Sequence, residues 1–375
     1  MISLLIIISL LYFILIIGLI IGFNKIKEYK QIEKNDKNTF SIIIPFRNES
    51  SNLPELINSL NKLKYDKSKY EIIFIDDAST DNSVKIIEQN ILKNIKYSIY
   101  KNDRKSHSPK KDAITTAIKF VKNKWIITTD ADCSVPNLWL KTLNNFIENK
   151  TALFFIAAPV NYKAEKKFME RFQKLDFASL IGTTIGSFGL KKPIMCNGAN
   201  LCYKKDAFLS VNGYIGNNNI VSGDDVFLME KIQKKYPDKI AYLKSLYATV
   251  ITKPEKNSKN LIEQRIRWAS KAGNSKNLYT WIIGIIVLGI NSFLSIFTFW
   301  YALKNKTAFY LIIIIWILKL VIDYFLIYKT LKLFEEKLKK MDYLLTAIIH
   351  PFFITVIFVL SLFKKYQWKD RIFYK

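Results

Sequence analysis

Residues 2–23 carry no charged side chain and consist mainly of Ile and Leu. At 1.5 Å per residue such a run reaches about 33 Å, enough to cross a hydrocarbon core of about 30 Å. Lipid offers no hydrogen-bond partner to the backbone, so the run is expected to be a helix. A secretory leader fits poorly: the apolar run is too long, no basic segment precedes it and no small-residue cleavage site follows. Lys25, Lys27, Lys30 and Lys34 come directly after it, which by the positive-inside rule puts the following chain in the cytoplasm.

Three more apolar stretches lie near 278–303, 308–328 and 343–363, and the short Lys304-Asn305-Lys306 connection makes the first two a helical hairpin. Three further crossings would leave Lys364, Lys365, Lys369 and Arg371 outside, against the same rule. Pro351 interrupts the last stretch and removes a backbone donor, so that stretch is expected to be re-entrant or interfacial. Lys319 and Asp323, four apart, share a helical face and are expected to neutralise each other, and His350 is read as a polar group at the proline kink.

The 375 residues leave room for one domain of about 250 residues beside these segments. The net charge of +26, from 57 Lys+Arg against 31 Asp+Glu, is spread singly and in pairs and flanks the apolar runs. That pattern disfavours nucleic acid and favours anionic lipid headgroups. Cys133, Cys196 and Cys202 form no CxxC pair and are expected to be reduced thiols, and the sequons at Asn48 and Asn305 are short enough to arise by chance.

From Phe40 the pattern changes to short apolar runs separated by amphipathic ones. Strands are expected at Phe40–Pro45, Glu71–Asp76, Lys96–Tyr100 and Trp125–Thr129, with helices near 53–63, 81–92 and 111–122 between them. Such alternation predicts an α/β fold whose parallel sheet is covered on both faces, with ligands at the carboxyl ends of the strands.

Polar residues gather at those ends. Strand one leads into Pro45-Phe-Arg47-Asn48-Glu49 and strand two into Asp76-Asp77-Ala-Ser79-Thr80-Asp81, where a carboxylate can accept from a base or ribose. Ser79, Thr80 and Asp81 also fit a loop with a helix cap. Strand four ends in Asp130-Ala131-Asp132. If that segment is extended its two carboxylates point the same way, and such a pair suits Mg²⁺ or Mn²⁺ that keeps its other positions for water and diphosphate oxygens. Lys110 and Lys111 precede a helix, and either could meet a phosphate at its positive end or form a solvated charge pair. In Ser222-Gly223-Asp224-Asp225 one Asp can cap a helix and the other can serve as the general base that activates an acceptor hydroxyl. Gln264-Arg265-Ile-Arg267-Trp268 follows, a QxxRW pattern in which Arg can hold diphosphate charge and Trp can stack on a sugar or anchor at the interface.

Taken in order, these residues resemble the family 2 inverting glycosyltransferases with a GT-A fold, the group that includes cellulose, chitin and hyaluronan synthases and ceramide-glucosyltransferase-like enzymes. The match runs from Phe40 to Trp268. The resemblance implies a GT-A, Rossmann-like catalytic domain over 38–272, between an N-terminal transmembrane helix at 1–24 and a membrane region at 278–363 with a basic cytoplasmic tail at 364–375. It implies that Pro45, Arg47, Glu49, Asp76 and Asp77 line the nucleotide pocket, and that Asp130 and Asp132 are the DxD pair, Asp132 being the principal metal ligand. Asp225 matches the general base, while Gln264, Arg267 and Trp268 match the acceptor and diphosphate motif. Asn197-Gly-Ala-Asn200 matches the segment that lies beside the acceptor sugar, and Asp224 is expected to bind the acceptor too. Two departures stand out: Gly223-Asp224-Asp225 replaces the Thr-Glu-Asp of the polymer synthases, and few apolar helices follow the domain. Trp368-Lys-Asp-Arg371 is similar to a Trp-basic element near the C-terminus of the ceramide-glucosyltransferase-like group.

The expected activity is transfer of a sugar from a nucleotide-diphospho-sugar, a UDP-sugar by expectation, to a lipid or lipid-linked acceptor at the cytoplasmic face of the cell (inner) membrane. Such a step belongs to cell-envelope glycan or glycolipid synthesis. Asp132, Arg267 and Lys110 would stabilise charge on the leaving diphosphate, with Mg²⁺ or Mn²⁺ as cofactor. Three alternatives stand beside this: a processive polysaccharide synthase, an inactive membrane scaffold of the same fold, and a nucleotidyltransferase, which would not need QxxRW.

Overall fold

The computed structural model describes residues 2–30, 35–163, 166–217, 223–272, 277–304, 306–363, 366–368 and 371–373. Lys34, Ser222, Asn305, Lys364, Lys365 and Lys369, named above, lie outside these residues, as do the side chains of Trp368 and Arg371.

The chain opens with α1 (Ile2–Lys25), β1 (Phe40–Phe46), α2 (Leu53–Asn61), β2 (Tyr70–Asp76), α3 (Ser83–Asn90) and β3 (Tyr97–Lys101). There follow α4 (Pro109–Ile118), β4 (Trp125–Thr128), α5 (Trp139–Asn149), β5 (Phe155–Ala157), β6 (Val160–Tyr162), α6 (Phe168–Gly189) and β7 (Leu201–Lys204). The remaining elements include α7 (Lys205–Ser210), α8 (Asp224–Lys235), β8 (Ile240–Tyr242), β9 (Val250–Thr252) and α9 (Ser258–Ala272). Three long helices, α10 (Leu278–Lys304), α11 (Lys306–Leu333) and α12 (Lys340–Phe363), come after them.

These elements form two compact units, one of residues Lys27–Lys163 and Met195–Lys253, the other of Met1–Ile26, Ala164–Ile194 and Pro254–Lys375. The first unit holds a seven-stranded sheet of order β3-β2-β1-β4-β7-β5-β8. Only β7 runs against the others, pairing antiparallel with both β4 and β5. The sheet is therefore mostly parallel, as the alternating apolar runs predict. Its central strands are buried on both faces, which is why they are continuous in Ile and Phe rather than alternating; Phe40, Ile42, Ile43 and Ile44 are fully buried. Chain order reverses on either side of β1, between β2 and β4, and such a reversal opens a crevice at the strands' carboxyl ends. In register, Phe46 lies beside Asp76 there.

The second unit collects helices. α1, α10, α11 and α12 are each long and apolar enough to cross a membrane. Pro351 does not break the last stretch: α12 runs unbroken for 24 residues with the proline inside it. Neighbouring helices can shield the backbone group that such a proline frees. α1 and α6 approach so closely that a Cβ on Gly22 would stand 2.1 Å from the Gly186 carbonyl oxygen, and one on Gly186 2.5 Å from that of Leu19. Leu5, Tyr12, Ile16 and Leu19 of α1 pack with Ile290, Leu294, Ile312 and Ile315. Lys319 Nζ lies 2.6 Å from Asp323 Oδ2, and the Tyr12 hydroxyl donates to Asp323 Oδ1 at 2.6 Å, so the pair is neutralised as its spacing predicts.

A second buried polar cluster ties α6, α9 and α12 together. Arg265 Nε and Nη2 reach Asp176 Oδ2 at 2.9 and 2.7 Å, and His350 Nε2 is 3.1 Å from Asp176 Oδ1. Burial acts to raise the Asp176 carboxyl, but Arg265 and His350 prevail and hold it at about 2. Such a depressed group stabilises the fold at neutral pH and loses that contribution as pH falls from 3.8 through about 2.

Two predictions follow from this packing. Gly22→Ala and Gly186→Ala should each cost about 1–3 kcal/mol through backbone overlap, whereas Gly18→Ala, whose Cβ would meet only Leu190 Cδ1 at 3.9 Å, should be near neutral. Thermal unfolding in detergent checks the ranking, and equal midpoints for all three variants would contradict it. Arg265→Met should destabilise by about 3–5 kcal/mol because Asp176 is left buried and charged, with Arg265→Met/Asp176→Asn recovering part of the loss. A double variant no more stable than the single one would show that the pair is not what the cost comes from.

Candidate active site

The carboxyl edge of the sheet is built by loops that hydrogen-bond one another. Asp77 N donates to the Phe46 carbonyl at 2.9 Å, which joins the turns after β1 and β2. Arg47 reinforces the join by donating from Nη1 to the carbonyls of Asp77 and Ala78 at 2.7 and 2.8 Å. Thr80 N donates to Asn48 Oδ1, and Asn48 N to Ser79 Oγ. Glu49 is buried, its carboxylate accepting from Asn52 Nδ2 at 2.8 Å, while Pro45 lies within β1. Asp76 accepts from Ser79 N at 2.9 Å. Asp81 accepts from Ser83 N and Oγ and from Ser50 N, the cap reading of that residue; burial opposes its ionisation, yet these donors hold it at about 2.

Asp77 is buried and receives two groups that the sequence reading passed over. Asn102 Nδ2 donates to it at 2.8 Å, and Arg104 Nη1 lies 3.3 Å away. Both follow β3 at the same sheet edge, and that position was the signal that could have found them. Arg104 also reaches Asp112 at 3.5 Å, so its charge is shared between two carboxylates.

Asp130 and Asp132 do not lie on an extended segment as expected. Cys133 N donates back to the Asp130 carbonyl at 3.2 Å, which closes a turn, so the alternation argument for their orientation does not hold. The Cys133 thiol, buried and thereby shifted up, is 3.6 Å from Asp132 Oδ1. Lys110, in the first turn of α4, stands 2.6 Å from Asp130 Oδ1 and 3.5 Å from Asp224 Oδ2. Burial pulls its ammonium down, but Asp130, Asp224 and Asp225 outweigh that and fix the proton on it. Lys111, the other candidate for a phosphate, is instead almost fully buried, donating to the Asn217 carbonyl at 2.8 Å with its ammonium 5.1 Å from the centre of the Phe227 ring.

Asp224 and Asp225 open α8 after Gly223, whose φ of +89° suits glycine. Asp225 is buried and accepts from Gly198 N at 3.1 Å and from Val226 N at 2.8 Å. A Cβ on Gly198 would stand 3.0 Å from both Lys110 Nζ and Asp224 Oδ2. That glycine leaves room for the ion pair. Asn197 closes its own turn by accepting from Ala199 N, and Asn200 is a buried brace between Trp139 and the Pro159 and Ala248 carbonyls. Gln264, Arg267 and Trp268 belong to the helical unit. There Gln264 meets Glu255 at 3.0 Å and the Arg265 guanidinium, which lies 4.2 Å from the Trp268 ring centre.

Among the described residues no cluster of three His, Cys, Asp or Glu side chains could hold a metal ion. Two half-buried carboxylates in one turn do fit a hard cation that takes few protein ligands and completes its shell with water and phosphate oxygens, Mg²⁺ or Mn²⁺. They do not fit a caged ion.

Residues 41–209 match the family model for glycosyl transferase family 2. The poly(ribitol-phosphate) beta-N-acetylglucosaminyltransferase TarS of Staphylococcus aureus is 32% identical over 110 residues, 29% of this chain and 19% of that protein. The cholesterol galactosyltransferase of Borreliella burgdorferi is 26% identical over 220 residues, 56% of this chain and 59% of that protein. The chain thus spans between 19% and 59% of the length of these curated relatives. Among solved structures, the mannosyltransferase PcManGT from Pyrobaculum calidifontis, in complex with GDP-Man and Mn²⁺, superimposes with a TM-score of 0.56 at 14% identity, covering 96% of each chain. Residues 41–209 therefore carry a glycosyl transferase family 2 domain on a GT-A-like sheet.

Proposed function

We propose that the protein is an inverting glycosyltransferase that moves a sugar from a nucleotide-diphospho-sugar to a lipid or lipid-linked acceptor at the cytoplasmic face of the cell membrane. The observation that carries this reading is the meeting of Asp130, Lys110 and Asp224 at one end of the sheet, within 3.5 Å, beside the buried Asp225. Such an edge suits a ligand that brings its own cation and its own diphosphate.

In this reading the loops holding Pro45, Arg47, Glu49, Asp76 and Asp77 take the nucleotide, Arg47 acting through the Asp77 and Ala78 carbonyls whose turn it fixes. Asp132, with Asp130 beside it, would hold the divalent ion; when bound, that ion supplies positive charge to the diphosphate as its negative charge grows. Asp225 takes the proton of the acceptor hydroxyl, held for that role by the Gly198 and Val226 amides. The acceptor oxygen then bonds to the anomeric carbon, the bond from that carbon to the diphosphate oxygen breaks, and its electron pair leaves with the diphosphate. Lys110 offsets the departing charge, a task that the QxxRW resemblance assigns to Arg267 as well. Asn197 and Asp224 are assigned to the acceptor, and the resemblance assigns Gln264 and Trp268 to it too, since an indole can stack on a sugar ring.

A lipid acceptor is favoured by four helices apolar enough to span a bilayer and by Lys25, Lys27 and Lys30 directly after the first. The cholesterol galactosyltransferase relative is named for a membrane lipid acceptor, which agrees with this choice.

The test is transfer from a panel of nucleotide sugars to a membrane lipid extract, with Mn²⁺ present. One or a few sugars per acceptor are expected, whereas long chains would identify a polymer synthase. Asp225→Asn should lower transfer by at least about 10³-fold while donor binding stays within a few-fold of normal. Near-normal turnover would remove Asp225 from the base role, and no transfer or hydrolysis of any nucleotide sugar by the unaltered protein would overturn the reading as a whole.

A further inference from the structure

One face of α6 is built around the segment that carries the QxxRW residues. Gln173, Asp176 and Phe177 share that face, being three and four positions apart, and all three are buried. The Gln173 carboxamide clasps the backbone of Glu255, donating to its carbonyl and accepting from its amide, both at 2.9 Å. Glu255 in turn accepts from Gln264 Nε2 on its carboxylate at 3.0 Å. Asp176 holds Arg265, at 2.9 Å from Nε and 2.7 Å from Nη2, and His350 of α12 lies 3.1 Å from its other oxygen. Arg265 Nη1 donates to Gln264 Oε1, and the guanidinium carbon lies 4.2 Å from the centre of the Trp268 ring. Phe177 meets the same ring at 6.0 Å between centroids. Gln264 is thus bonded at both ends of its carboxamide, and Trp268 is met by two side chains.

A buried ion pair seldom adds net stability over apolar residues of the same volume. Stability alone therefore does not account for a guanidinium that is only 5% exposed. What the pair supplies is direction, because a planar fork can serve Asp176 and Gln264 at once while its face lies against an indole. We propose that Arg265, a position the QxxRW pattern leaves open, is a positioning residue: aimed by Asp176 and His350, it sets the Gln264 carboxamide and the Trp268 ring in the orientation that takes the acceptor. Lysine would keep the charge on Asp176, but a point charge on a flexible stem cannot hold the amide and the ring together. The role rests on the reading above, in which Gln264 and Trp268 bind the acceptor.

The test compares the full chain with Arg265→Lys and with Arg265→Met/Asp176→Asn, all in detergent, by three readouts. Transfer from the nucleotide-sugar panel is followed at rising amounts of membrane lipid extract, and binding of UDP and GDP with Mn²⁺ is followed by calorimetry. The Trp268 ring is followed by fluorine magnetic resonance of 5-fluorotryptophan protein, its signal identified by Trp268→Phe. Arg265→Lys should lower transfer by roughly 10- to 100-fold, chiefly as a demand for more extract, while nucleotide binding stays within a few-fold of normal. The Trp268 signal, single and sharp in the unaltered protein, should broaden or split. Arg265→Met/Asp176→Asn should regain unfolding midpoint relative to Arg265→Met and still transfer poorly, because no guanidinium holds the motif. Normal transfer by folded Arg265→Lys, or a Trp268 signal that stays single and sharp in it, would overturn the proposal and leave the transferase reading intact. Transfer that recovers together with the midpoint in the double variant would reduce Arg265 to a structural part and overturn it likewise. An unaltered protein that transfers no sugar would overturn the transferase reading, and the acceptor role of Arg265 with it.

Discussion

Like charge crowded at one edge of a low-dielectric sheet is the constraint around which the first unit is arranged. Asp76, Asp77, Asp130, Asp132, Asp224 and Asp225 all belong to strand ends, turns or helix starts at the carboxyl side of the strands, and like charges gathered at a low-dielectric edge repel. Local groups answer them. Asn102 and Arg104 serve Asp77, the Ser79 amide serves Asp76, the Gly198 and Val226 amides serve Asp225, and Lys110 is divided between Asp130 and Asp224. Fixed dipoles and cations of this kind need no rearrangement when an anionic ligand and its counter-ion arrive, which is what makes such an edge useful for chemistry at a diphosphate.

The helical unit solves a different problem with different means. Apolar helices gain nothing from hydrophobicity among lipid tails, so close packing and internal polar bonds decide how they associate. Gly22, Gly186 and Gly189 let backbones approach, Gly182 makes room for the Thr330 and Leu326 side chains, and the Tyr12–Asp323–Lys319 group pairs charge that lipid would not tolerate. The Asp176–Arg265–His350 cluster does the same for the helix that carries Gln264, Arg267 and Trp268. Arg265, a position that the QxxRW pattern leaves open, thereby touches two of the motif's members, Gln264 by hydrogen bond and Trp268 by stacking.

The fold was legible where burial writes a simple code. Parallel strands covered on both faces read as near-continuous apolar runs, and β1, β2 and β4, with the half-buried edge strand β3, were placed within a residue or so of their observed ends. Turn geometry was not legible: Asp130-Ala131-Asp132 has the spacing of an extended pair, but the Cys133 amide folds it back. Nor could composition separate Lys110 from Lys111, since adjacent helical positions point about 100° apart and only the packing of Phe227 decides which one is buried. α6 went unnoticed because its apolar residues form no single stripe, so its sequence lacks the periodic signal of a surface helix. Pro351 does not interrupt α12 as the sequence suggests, for a helix among helices can carry a proline that an isolated one would not.

The central claim is that this edge takes a nucleotide diphosphate together with a divalent cation. Calorimetric titration of the full chain in detergent with UDP and with GDP, first with Mn²⁺ and then with excess chelator, tests it most directly. The account predicts saturable binding of at least one nucleotide with Mn²⁺ and a loss of roughly tenfold or more in affinity without it. Binding that is equally tight in chelator, and unaffected by Asp132→Asn, would contradict it.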